Sequence, residues 1–179
     1  MAEVASGREV GRAPGSGGPE APQASPAGDY TAAIYGTIVV AGVIAALGHE
    51  HVAAGTVAGS VLSTALVFFL AHTWAAGTSE RVAAGGHLSR RRMAEIARHE
   101  WPMVESAVLP LLPVVLAAAG AWSDQTGIDL ALAIVVLQLF AWGLAVGRRT
   151  YDRWPAALLS GVVHGAFGVL LVLLKALVH

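Results

Sequence analysis

Five stretches of this chain, residues 30–48, 52–77, 102–122, 129–147 and 155–178, are almost wholly apolar. Apart from Asp129 and Lys175 near their ends, they enclose one formal charge, Glu105. A hydrocarbon core about 30 Å thick is crossed by roughly 20 such residues in a helix. Lipid offers no partner for backbone N–H and C=O groups, so each stretch must satisfy its own as a helix. A barrel would show polar alternation in segments of about ten residues, and a soluble amphipathic helix would keep a polar face; neither pattern is present. The expected fold class is therefore all-α: a polytopic membrane protein built as a bundle of five transmembrane helices. Composition agrees, with 55% of 179 residues hydrophobic and 13% charged.

Residues 1–28 hold six Gly, four Pro, six Ala and three Ser. Ordering them would bury almost nothing, so a disordered cytoplasmic tail is expected ahead of a transmembrane domain at 29–179. No apolar core of signal-peptide length lies close behind a basic start, so the first apolar run is expected to stay in the mature protein.

Basic residues set the orientation. Arg8 and Arg12 precede the first run; Arg81, Arg90, Arg91, Arg92 and Arg98 lie between the second and third; Arg148, Arg149 and Arg153 lie between the fourth and fifth. The breaks 49–51 and 123–128 contain no Lys or Arg, which leaves Lys175 alone on the other side. Short cytoplasmic loops carry the Lys/Arg excess, which predicts the cytoplasmic membrane, the N-terminus inside and the C-terminus outside. Tyr30, Trp74, Trp101 and Trp154 fall at the inner interface in that arrangement, and Trp122 at the outer one. The segment from Ser89 to Arg98 has helix formers behind a Ser cap and reads as a short cytoplasmic interfacial helix. Arg90, Arg91 and Arg92 could rest on anionic lipid head groups, or act only as topogenic charges. With a formal charge of −1 the chain offers nucleic acid no basic surface, and the lack of cysteine excludes disulfides and thiolate metal sites.

Small residues recur at four-residue spacing in Gly55/Gly59/Ser63, Gly143/Gly147 and Ala157/Gly161/Gly165, faces that let helix backbones approach closely. Internal packing is expected to use them, and a homo-oligomer could. The third run contains Pro110 and Pro113 in mid-membrane, so a kink is expected there, as a plain bend or as the wall of a polar pathway.

With a rise of about 1.5 Å per residue, Tyr35, His72 and Glu105 fall in one layer roughly 5–8 Å inside the cytoplasmic boundary. An intramembrane carboxylate is a candidate functional group, and His72 is the expected partner of Glu105; the alternative is a Glu105 that snorkels to the interface. Nearer the midplane, Gln138 and His164 need partners and serve as further pathway candidates or as structural glue. On the outer side His49, Glu50 and His51 are candidate metal ligands by residue type, although neighbours in a turn diverge. No phosphate-binding Gly loop or nucleophile elbow is present. An intramembrane enzyme could use Glu105 and His72, but no nucleophile or second motif accompanies them, so no enzymatic activity is expected.

Five helices, the inferred orientation, a helical insert after the second helix and the sequence Val108-Leu-Pro-Leu-Leu-Pro-Val-Val-Leu in the third together resemble the vacuolar iron transporter family. That resemblance implies metal-ion transport. The chain departs from the family in having Tyr35-Gly36 where an Asp-Gly is looked for and Ser60, Ser63 and Thr64 in place of Glu and Met ligands. Its insert is short, with Glu80, Glu95 and Glu100. The chain also resembles small Ala/Gly/Val-rich membrane proteins of actinobacteria, which implies location alone. The functional expectation is a small carrier or divalent metal-ion transporter; the alternative is a non-transporting scaffold or partner subunit. The sequence specifies no cofactor.

Overall fold

The structure is a computed structural model and describes residues 26–48 and 52–178. Seven helices follow one another among these residues: α1 (Pro26–Leu47), α2 (Ala54–Ala83), α3 (Arg90–Glu100), α4 (Pro102–Glu105), α5 (Val108–Ala118), α6 (Asp124–Thr150) and α7 (Trp154–Val178). No strand occurs among the described residues. Four helices are long and apolar enough to cross a membrane, and a fifth crossing is made if the bent pair of α3–α4 and α5 counts as one span. The tail residues 1–25 and the outer candidates His49, Glu50 and His51 lie outside the described residues.

The core runs between α1, α2, α5 and α6, where Val40, Ile44, Val57, Val61, Val114, Ile128, Val135 and Leu139 are buried. Their outward neighbours Leu62, Leu66, Val67, Leu70, Leu137, Val162 and Leu170 are exposed and apolar, the surface a bilayer would cover. Helix α7 packs chiefly on α6, through two of the three small-residue faces. A Cβ added at Gly143 would come within 2.7 Å of His164, and one at Gly147 within 2.7 Å of Ala157. Gly161 and Gly168 receive Phe140 and Val136 in the same way. The stripe on α2 is left largely open: Gly55 and Gly59 are exposed, a Cβ at Gly55 would only touch Ala118 at 4.0 Å, and nothing lies within 4 Å of one at Gly59.

Three boundaries differ from the sequence reading. Helix α1 begins at Pro26, inside the stretch expected to be tail. Residues 124–128, expected as a break, form the first turn of α6; Ser123 caps it, its hydroxyl accepting from Thr126 N at 3.2 Å, so the polar residues open a helix. The bend in the third apolar run lies at residues 106–107, with α5 turned 49° from the segment before it. Proline disturbs the carbonyl four residues earlier, which places the effect of Pro110 at Ser106 and not at Pro110 itself. Helix α5 then continues through Pro113. The expected cap at Ser89 is present, its hydroxyl accepting from Arg92 N at 3.2 Å.

Candidate functional site

A cavity of about 320 Å³ lies where α1, α2 and the α3–α4 segment meet, lined by Thr31, Ala32 and Tyr35, by His72, and by His99, Glu100 and Met103. Gly36 lets this junction close: a Cβ there would overlap Ser106 Oγ and the Met103 backbone. Met103 and Ser106, one turn apart, therefore face α1 and are buried. Glu105 lies about 200° around the helix from Met103 and falls on the exposed side, outside the cavity. The structure thus does not bring Glu105 to His72; Glu100 shares the cavity with the imidazole instead.

The Tyr35 and His72 rings do meet, with centroids 5.1 Å apart, and Phe68 stacks on His72 at 6.3 Å. His72 Nδ1 is 3.0 Å from Phe68 O, four residues back on the same helix. A main-chain carbonyl can only accept, so Nδ1 is the donor in this bond. His99 and Glu100, which the sequence reading left in the loop beyond the interfacial helix, are brought in by α3, which runs on to Glu100. A signal for this was available: Ile96, His99, Glu100 and Met103 recur at helical spacing, and Ile96 and Met103 are buried.

Deeper in the bundle the remaining candidates are engaged structurally. Gln138 Nε2 donates to Ser106 O at 3.0 Å and to Thr37 Oγ1 at 3.3 Å, while Thr37 Oγ1 donates to Ala33 O at 2.8 Å. Pro110 has no N–H for Ser106 O, so Gln138 supplies the missing donor from another helix. The Oε1 atom of Gln138 is buried without a hydrogen-bond partner. His164 Nδ1 lies 2.8 Å from Ser160 O, and its ring sits against Gly143. The Gln138 bonds thus join helices, and the His164 bond lies within α7.

On the basic end of the bundle, arginines pair with aromatic rings. The Arg148 guanidinium lies 3.9 Å from the Trp154 ring centre, Arg149 4.9 Å from Tyr30, and Arg81 5.4 Å from Trp74. Arg92 reaches Glu80 with two nitrogens at 2.6 and 2.8 Å and Glu95 at 3.0 Å, tying α3 to the end of α2. At 30 residues α2 is about 45 Å long, so its last turns extend beyond a 30 Å core and carry Glu80 past the spanning stretch. Arg92 hydrogen bonds hold the Glu80 and Glu95 carboxyls below the usual carboxylate range. Of the three arginines considered for head groups, Arg92 is thus committed to protein, and Arg91 approaches Glu95 at 3.4 Å.

Among the described residues no three His, Asp or Glu side chains converge as metal ligands. No known family, no curated protein and no solved structure matches the chain.

Proposed function

We propose that the chain is a small carrier of the cytoplasmic membrane that takes its substrate at the Tyr35/His72/Glu100 cavity. The observation that carries this reading is the cavity's position, opening between three helices beside the one span that is broken. Non-helical backbone at membrane depth is tolerated where protein buries it or a polar cavity adjoins it. The N-terminus and the α2–α3 and α6–α7 connections are cytoplasmic and the C-terminus outside, a reading supported by the arginine–aromatic pairs at the basic end. Arg90 and Arg91 face anionic head groups there. A divalent-metal substrate has support only from the resemblance to iron transporters and from the residue types at His49, Glu50 and His51; the cavity's donor set favours other cations. Proteoliposome flux tests the carrier reading: uptake of a cationic solute that is lost on His72→Ala supports it, and no flux across a panel of amines, Fe2+, Mn2+ and Zn2+ contradicts it.

A second reading, a scaffold or homo-oligomeric subunit, is favoured by the exposed Gly55/Gly59/Ser63 stripe, the one small-residue face not consumed inside the protomer. Disulfide crosslinking of a Gly59→Cys variant tests it; crosslinked dimer supports self-association, and monomer alone contradicts it.

A further inference from the structure

We propose that the α1/α2/α3–α4 cavity binds an alkylammonium group, R–NH3+. The proposal rests on the reading of this cavity as the carrier's substrate site and names the chemistry it takes. The lining presents acceptors and one negative charge. His72 lines the space with its imidazole, whose Nδ1 is taken up by Phe68 O and whose Nε2 is not used in that bond. Glu100 supplies a carboxylate; no Lys or Arg lines the space, and the neighbouring His99 in the lining is engaged in an interaction of its own. An anion would meet that carboxylate directly.

Tyr35, 39% exposed, contributes an aromatic wall backed by Phe68 at 6.0 Å, the surface that attracts cations through the ring quadrupole. Met103 and Ala32 give an apolar floor for a short alkyl stem. A bare divalent ion needs several converging hard or imidazole ligands, which this lining does not assemble. At about 320 Å³ the cavity is at the small end of ligand sites, which suits a head group and a few carbons. The ammonium can come from a free alkylamine or from the head group of an aminoethyl phospholipid.

The full-length protein in phosphatidylglycerol nanodiscs, free of amine lipid, is titrated calorimetrically with ethylammonium, tetramethylammonium and propionate. Saturable ethylammonium binding is expected, with tetramethylammonium weaker because it has no N–H to donate, and with propionate inert. Glu100→Gln should weaken binding roughly tenfold or more, the scale of a charge-assisted hydrogen bond, while Glu105→Gln leaves it unchanged. A thermal melt of each variant confirms that it folds. If free ethylammonium does not bind but native mass spectrometry shows phosphatidylethanolamine retained over phosphatidylglycerol, and lost in Glu100→Gln, the ammonium comes from lipid. Neither form binding, or a folded Glu100→Gln that binds as wild type does, overturns the proposal. Ammonium binding without flux overturns the carrier reading alone, and flux of another solute without ammonium binding overturns the ammonium assignment alone.

Discussion

The side-chain amide of Gln138 donates to the carbonyl oxygen of Ser106 at 3.0 Å, across two helices and 32 positions of sequence. This bond fills the vacancy that Pro110 leaves one turn after Ser106, and so holds the bend of the third apolar run against α6. Ser106, whose carbonyl takes this bond, packs with Met103 against Gly36 of α1, the approach that turns Met103 to the cavity and Glu105 away from it.

Gln138→Leu should destabilise the bundle by about 1–2 kcal/mol, since a buried carbonyl loses its donor and interhelical bonds in membranes have that upper range. Thermal melts in detergent measure it. Pro110→Ala returns an N–H to α5, so the double variant should lose less than the sum of the two single changes. Strict additivity would show that the Gln138 bond does not compensate for the proline.

The two kinds of glycine should behave oppositely. Gly143→Val drives a side chain into His164 and Ser160 O and is expected to cost about 1–3 kcal/mol or more. Gly59→Ala meets open space and should leave the protomer as stable or raise it by up to about 1 kcal/mol through helix propensity. Equal destabilisation at both positions would mean that the α2 stripe is packed.

Two of the three small-residue stripes were legible as packing faces, but their partners were not. Spacing marks Gly143 and Ala157 as close-approach positions without saying which helix approaches, and the same spacing on α2 marks a face the protomer leaves open. The cavity was legible in half. Tyr35 and His72 follow from depth along apolar runs, whereas His99 and Glu100 sit in a polar segment whose buried stripe, Ile96 to Met103, is short and flanked by arginines. Depth alone grouped Glu105 with His72. Depth says nothing of azimuth, and azimuth is set by Gly36 drawing Met103 and Ser106 toward α1.

Acid should loosen α3 from α2. Glu80 and Glu95 are held below the usual carboxylate range by Arg92, so their contribution is present above the unfolded carboxylate value and is lost as pH falls through the depressed folded values. Protection of the amides of residues 84–100, corrected for the intrinsic pH dependence of exchange, should be flat near neutrality and fall in acid. Glu80→Gln should bring the lower protection to neutral pH and flatten the response. The pair is partly exposed, so high salt should mimic part of the effect. Protection that stays flat into the acid range would remove the ion pair from the account.

The most direct test of a membrane bundle with a water-filled cavity at its basic end uses the absence of native cysteine. Single variants Ala84→Cys, Ser123→Cys, Tyr35→Cys and Leu62→Cys are labelled with a membrane-impermeant thiol reagent in oriented vesicles. Ala84→Cys should react only from the cytoplasmic side, Ser123→Cys only from outside, and Leu62→Cys, on the lipid-facing side of α2, from neither. Tyr35→Cys, although within the first span, should react from the cytoplasmic side through the cavity, and be protected by a bound ammonium. Ala84 and Ser123 labelled from one side, or a Tyr35→Cys thiol that is inert from both, would contradict the account.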